Sequence, residues 1–279
     1  RAAKKAGVKV RIAHSHSTTN KKEWKKNLLK QVLRPFSKVF ATDYMCCSEL
    51  AGRWLFGNKE YDNGNVYLLN NAIDLDKFKY DEEKRKKKRK ELNIEDDTLV
   101  IGHVGRFVEQ KNHRFLIDIF NEVHKQKENS ILLLAGQGPL MEEMKEKVKI
   151  LGIEDSVNFL GQRNDINELY QVMDLFLFPS LYEGLGMVAV EAQVSGLPCV
   201  VSTEIPKIAK VTKKITFINL ENKIEIWTEI IFKYLKNINR KNINFTDGIK
   251  KYDIIKETTK FEKKYLNSYK RNEIKNGQN

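Results

Sequence analysis

From residue 98 onward, short apolar runs alternate with longer stretches in which apolar residues recur at helical spacing. "TLVIGHVG" (98–105) is a β-branched run ending in glycine, and "NHRFLIDIFNEVHKQ" (112–126) follows with a period near 3.6. "SILLLAGQGP" (130–139) and "LMEEMKEKVKILG" (140–152) repeat the pair. "SVNFLG" (156–161), "DINELYQVM" (165–173), "DLFLFPS" (174–180), "GMVAVEAQVSG" (186–196) and "LPCVVS" (197–202) continue it. Strands that are apolar throughout, alternating with helices, imply a parallel sheet covered on both faces. The pattern predicts a doubly wound α/β domain over 98–240, with its ligand site at the carboxyl ends of the strands. The loops "GRFVEQKN", "GQGP", "GQRND" and "PSLYEGLG" all fall there, so segments distant in sequence are expected to meet in one crevice.

Residues 1–80 read as part of a second α/β unit. It comprises strand "VKVRIAHSH" (8–16), helix "KEWKKNLLKQVLRPFSKVF" (22–40), strand "YMCCS" (44–48), helix "ELAGRWLFG" (49–57) and strand "NVYLLNNAID" (65–74). Two or three strands are too few for a complete doubly wound domain, so this is expected to be either a small lobe or a domain that the given chain enters part-way. Residues 81–97 read as a basic interdomain linker with one helix. The segment 241–279 reads as a C-terminal helix returning to the N-terminal domain, with its last residues, "NEIKNGQN", frayed.

Length and composition fit one or two globular cores, with 279 residues of which 41% are hydrophobic. No apolar run approaches the roughly 18 residues of a membrane span, and "RAAKKAGVKV" lacks an apolar signal core. Cys46, Cys47 and Cys199 make neither a disulfide framework nor a CxxC pair, which points to the cytoplasm. The net charge of +13 raises a nucleic-acid reading, but the excess is spread out and no aromatic residues are interleaved as a stacking platform. Its densest block, "EEKRKKKRKEL" (82–92), is bracketed by acids and reads as a solvated helix face between domains. A peripheral contact with anionic lipid at the inner face of the plasma membrane is a secondary reading, since such a segment gains about 1 kcal/mol per charge.

The chemistry-bearing residues cluster on the strand-end loops. In "GLGM", Gly184 opens a turn into a helix, so Leu185, Gly186 and Met187 can present backbone amides to a phosphate. Taken alone this matches neither GxGxxG nor a Walker loop, and a plain turn is the simpler reading. Arg106 and Lys111 share the loop after the first strand and could neutralise a diphosphate, or be solvated. Glu191 stands in the otherwise apolar "MVAVEAQV" and needs a partner, for which the vicinal hydroxyls of a ribose are suited. Glu183 precedes the turn, where a sugar beyond the diphosphate would sit. An acid and base pair of a hydrolase is less plausible for two carboxylates flanking a phosphate-type loop. His14 and His16 end the N-terminal strand on one face, with no third ligand at suitable spacing for a metal. His103, inside its strand, reads as a packed residue.

Together these segments resemble the retaining GT-B glycosyltransferases of family 4, of the bacterial capsule and exopolysaccharide type. Glu183, seven residues and Glu191 match its E-x7-E signature, and "VGRFVEQKN" matches G-R-x4-K through Arg106 and Lys111. "LLLAGQGP", "FLGQRNDI", "FPSLYEGLGMVAVEA" and "GLPCVVS" follow in family order, and "NNAIDLDKF" is similar to its interdomain linker. The resemblance implies two Rossmann-like domains facing across a cleft and a hexosyltransferase-type activity. That activity would move a sugar, with retention, from a nucleotide diphosphate sugar to a saccharide or lipid-linked acceptor, without metal or bound cofactor. It implies that Arg106 and Lys111 hold the diphosphate and Glu191 the ribose. Glu183 with the backbone of Gly184, Leu185, Gly186 and Met187 would hold the donor sugar and distal phosphate. His16, or less favourably His14, would lie beside the transferred sugar, and the segment from Arg163 through Asp165 to Ile166 would hold the base. Gln193 departs from the commoner Met or Leu of the family. Members also carry an N-terminal strand and glycine-rich loop roughly a hundred residues before "AHSH". Their absence leads us to expect an N-terminally truncated chain, for which a non-catalytic nucleotide-sugar-binding fragment is the alternative function.

Overall fold

A computed structural model describes residues 1–16, 29, 31–236, 240 and 247–277. The chain divides into two units, Arg1–Ile73 together with Lys251–Asn279, and Asp74–Lys250.

In the smaller unit the long histidine-bearing run contributes only a four-residue strand, β1 (Ile12–Ser15). It pairs in parallel with β2 (Asp43–Cys46), which precedes helix α1 (Glu49–Phe56) and pairs in parallel with β3 (Val66–Leu68). Ser48 caps α1 by accepting the Ala51 amide, as its side-chain oxygen suits it to do. Cys46, Phe56 and Val66 form the core, with Tyr44 stacked on Phe56. Of the helix expected over 22–40, residues 22–28 and 30 lie outside the described residues, while Phe36–Val39 is helical. The C-terminal helix runs over Ile254–Gly277. Lys9 donates to Glu273 at 2.7 Å near its end, and the Ser268 hydroxyl and Arg271 guanidinium bond the Asp43 carboxylate at 2.6 and 2.7 Å. These bonds tie the helix to the β1–β2 end of the chain.

The larger unit begins at Asp74, earlier than the boundary expected at residue 80. Helices α2 (Leu75–Phe78) and α3 (Glu82–Glu91) pack on it. The linker reading of 81–97 is therefore corrected. Arg85, Lys88 and Arg89, spaced three and four apart, turn one face of α3 inward, and only Lys84, Lys86, Lys87 and Lys90 among its basic residues are exposed. Arg85 bonds the carbonyls of Gln171, Val172 and Met173 and the Asp174 carboxylate at 2.6 Å, and Arg89 bonds the Thr98 carbonyl.

The sheet of this unit is parallel, in order β6-β5-β4-β7-β8-β9. Its members are β4 (Leu99–Val104), β5 (Ser130–Ala135), β6 (Val157–Gly161), β7 (Leu175–Phe178), β8 (Cys199–Ser202) and β9 (Ile215–Ile218). Four central strands are buried almost throughout, which is why their sequences do not alternate. Helices α4 (His113–Gln126), α5 (Met141–Ile150), α6 (Ile166–Val172), α7 (Met187–Val194) and α8 (Ile224–Leu235) connect or flank the strands. β9 was not legible in advance, because its four residues follow a lysine-rich stretch and carry only two buried side chains. The chain runs outward from β4 to β6, then returns to β7 on the other side. This reversal opens a gap between the loops that follow β4 and β7.

Candidate functional site

Backbone contact sets the position of the loop after β4. Gly136, after β5, lies at φ 146°, and a Cβ there would stand 2.0 Å from the Gly105 carbonyl oxygen. A Cβ on Gly138 would meet the Phe107 carbonyl at 2.4 Å. The two loops thus stack main chain on main chain, with Gly105 donating to Ala135 and Phe107 to Gln137. Beneath them His103 is fully buried, with Nδ1 2.9 Å from the Leu177 carbonyl, and His113 packs edge-on to it and stacks on Phe107. Burial holds His103 neutral and pushes the His113 imidazole down to about 4. His103 is a packed residue, as its place in the strand implied.

A 3-10 turn over Glu109–Lys111 then carries the chain to Asn112, which is left-handed at φ 56°. Three bonds clamp this turn to the loop after β7. The Leu181 amide donates to Gln110, the Gln110 amide group to the Tyr182 carbonyl, and that of Asn112 to the Pro179 carbonyl. The clamp brings Lys111 Nζ within 2.7 Å of Glu183 Oε1 and over the Phe178 ring. Both side chains are largely buried, so each charge depends on the other. Arg106, on the same loop, is exposed and makes no side-chain bond among the described residues. It is free for a ligand.

Gly186, at φ 76°, occupies the N-cap of α7, and no Cβ contact within 4 Å restricts Gly184. The first amides of α7 have no partner within their own helix and point out of its positive end. Glu191 lies one turn further on, and its Oε2 accepts the Tyr170 hydroxyl at 3.0 Å. Burial raises the Glu191 carboxyl above its ordinary range, and the Tyr170 bond opposes that rise. Tyr170 was missed by sequence reasoning. It looks like one more apolar position of a helix, and its bond crosses 21 residues and two elements.

Arg163 and Asp165 sit at the mouth of α6 and pair with each other at 2.8 and 2.6 Å. Lys88 of α3 also reaches Asp165, at 2.7 Å, and adds Glu91 and Glu168, both at 2.9 Å. The Arg163 bond, with Lys88 behind it, holds the Asp165 carboxyl well below the usual range. Asp165, expected among the donor contacts, therefore spends its oxygens on fastening α3 to α6. Arg163 borders a hollow of about 490 Å³, lined also by Gln162, Asn164 and Asn167. His14 and His16 lie in the smaller unit, at the end of β1, with ring centroids 4.0 Å apart. Burial, then the proximity of His16, lowers the His14 imidazole. Among the described residues, no cluster of three or more His, Cys, Asp or Glu is placed to hold a metal ion, and no helix is long and apolar enough to cross a membrane.

Known proteins resemble this chain in sequence and fold. The family model for glycosyl transferases group 1 matches residues 84–244. A putative glycosyltransferase EpsF of Bacillus subtilis (strain 168) is 40% identical over 233 residues, which is 82% of this chain and 61% of that protein. The UDP-Gal:alpha-D-GlcNAc-diphosphoundecaprenol alpha-1,3-galactosyltransferase of Escherichia coli is 28% identical over 206 residues, 72% of this chain and 53% of that one. The chain thus spans between half and about three fifths of the length of these relatives. The crystal structure of Anabaena Alr3699/HepE in complex with UDP and glucose superposes with a TM-score of 0.73 at 20% identity, over 91% of this chain and 71% of that one. At that identity the likeness speaks for the fold alone.

Proposed function

The chain belongs to the glycosyl transferases group 1 family and has its α/β GT-B fold, and on that premise we propose that it transfers a glycosyl unit from a UDP-sugar to a saccharide or lipid-linked acceptor, with retention, in cell-surface polysaccharide assembly. The observation that carries this reading is the Lys111–Glu183 pair at 2.7 Å, held beside a glycine-capped helix N-terminus and the exposed Arg106, which has no side-chain bond among the described residues. The choice of uracil is supported by the UDP-Gal named for the Escherichia coli relative.

In this reading, Glu191 accepts the two ribose hydroxyls, and the amides opening α7 with Arg106 hold the diphosphate. Lys111 exchanges a carboxylate oxygen for a phosphate oxygen when the donor enters. That exchange frees Glu183 to accept a hydroxyl of the donor sugar, so the pair stores both groups in a neutralised state until they are needed. As the bond from the anomeric carbon to the phosphate oxygen breaks and the acceptor hydroxyl oxygen bonds to that carbon, charge grows on the departing diphosphate, which takes up the acceptor's proton. Arg106, Lys111 and the helix amides then bind it more tightly than in the ground state, which is what lowers the barrier. Positioning and charge suffice for such a step, and no metal is assigned to it. Arg163 borders the space for the base.

Calorimetry with UDP tests the assignment. Arg106→Ala with Lys111→Ala should lower affinity by about two to four orders of magnitude, since bonds to charged groups contribute about 1.5–3 kcal/mol each. Equal affinity of variant and wild type would overturn it. Lys84, Lys86, Lys87 and Lys90 also leave α3 with an exposed basic face. We assign to it a peripheral contact with the anionic inner leaflet, which sedimentation with phosphatidylglycerol vesicles would refute if charge-reversed and wild-type chains bound alike.

A further inference from the structure

Tyr170 is fully buried on α6, tilted against Phe78 and edge-on to Phe176. Its hydroxyl reaches two acceptors on α7, the Val188 carbonyl at 3.1 Å and Glu191 Oε2 at 3.0 Å. A phenol has one proton and can satisfy only one of them at a time. While Glu191 is ionised, the charge-assisted bond to the carboxylate is the stronger. Once Glu191 is protonated, its carboxyl can donate to the phenol oxygen, and the phenol proton turns to Val188.

The helices that carry this contact are also fastened at their ends. Arg240 is buried and donates to the carbonyls of Tyr170, Gln171 and Met173 at the end of α6, and to Ser195 at the end of α7. One guanidinium therefore fixes the spacing between the two helices whose side chains meet as Tyr170 and Glu191.

We propose that Tyr170 is the positioning residue of the donor site, keeping Glu191 ionised with one oxygen fixed so that its remaining lone pairs face the ribose diol. The inference rests on the reading of Glu191 as the ribose acceptor. The titratable groups on the elements packed against α7 are Asp76 and Lys77 of α2, Cys199 of β8 and Lys207, and α6 adds Asp165 and Glu168. Asp165 and Glu168 are paired with Lys88, and burial pushes the Cys199 thiol far up, so it stays neutral. Among the described residues, only Tyr170 bonds the Glu191 carboxylate.

The sign of the effect follows. A carboxylate binds the diol and a carboxylic acid does so poorly, so affinity is lost as pH falls through the Glu191 pKa. Removing the bond that favours the ionised form raises that pKa, so the loss should begin at higher pH.

The experiment is calorimetric titration of UDP and, separately, inorganic pyrophosphate between pH 5.5 and 8.5, on wild type, Tyr170→Phe and Glu191→Gln. At pH 8, Tyr170→Phe should bind UDP about three- to tenfold more weakly, the size of one hydrogen bond. The deficit should widen as pH falls, with pyrophosphate affinity within about twofold of wild type throughout. A parallel drop with no shift of the pH midpoint, while Glu191→Gln still loses UDP, would reduce Tyr170 to packing and overturn the inference. Unchanged UDP affinity in Glu191→Gln would instead remove the ribose reading on which it rests.

Discussion

Gly136 and Gly184 show how differently two glycines of one crevice are constrained. At Gly136 a methyl group would lie 2.0 Å from a backbone oxygen at a φ of 146°, whereas at Gly184 no atom lies within 4 Å of where it would stand. Gly136→Ala is therefore expected to lower stability by at least about 2 kcal/mol and to displace the Arg106 loop. Gly184→Ala should stay within about 0.5 kcal/mol of wild type. Urea unfolding of the two variants checks both, and equal midpoints would mean that the main-chain stacking after β4 and β5 is dispensable. The pairing of Lys111 with Glu183 lives at this scale too. Each residue was legible as a candidate from its motif, but the sequence assigns them separate duties. Their bond depends on Gln110 and Asn112 drawing two loops together, and those are ordinary polar loop residues until the fold is known.

At the scale of elements, α3 is where charge counting misleads. Its residues read as a solvated basic face, yet three of them point inward, Arg85 to the carbonyls ending α6 and the Asp174 carboxylate, Lys88 to Asp165 and Arg89 to the Thr98 carbonyl. Arg85→Met and Lys86→Met remove the same charge from adjacent positions. The first should cost roughly 2–4 kcal/mol and speed amide exchange across 82–91, because it removes the guanidinium bond to the Val172 carbonyl and the 2.6 Å partner of the Asp174 carboxylate. The second should be within about 0.5 kcal/mol. Similar effects from both would restore the linker reading. α7 gives the complementary case, since its glycine start and apolar body were readable directly. Only its partner helix α6 reveals why an acid sits in it.

For the whole molecule, the C-terminal helix closes the smaller unit through Asp43. Burial works against ionisation of that carboxyl, but bonds from Ser268 and Thr42 and the Arg271 guanidinium prevail and hold its pKa below the ordinary value. A depressed folded pKa contributes stability above the unfolded pKa of about 3.9, and that contribution is lost as pH falls through the folded value. Asp43→Asn should accordingly expose β2 amides to exchange about tenfold faster at pH 6, with the difference from wild type shrinking toward pH 3. A difference independent of pH would mean that the carboxylate charge is not what binds the helix. The sequence by itself determined the parallel α/β architecture of 98–202 and its strand-end loops, and it offered the residues proposed to face a nucleotide. Periodicity and glycine placement are local properties, and the apolar pattern of a strand covered on both faces is unambiguous when it recurs. Only the tertiary structure decided that Asp165 is consumed by Lys88, that α3 is docked, that β9 completes the sheet and that Tyr170 holds Glu191. Each of these is a bond or pairing between groups far apart along the chain, and its energy depends on burial and distance, which residue order alone does not specify.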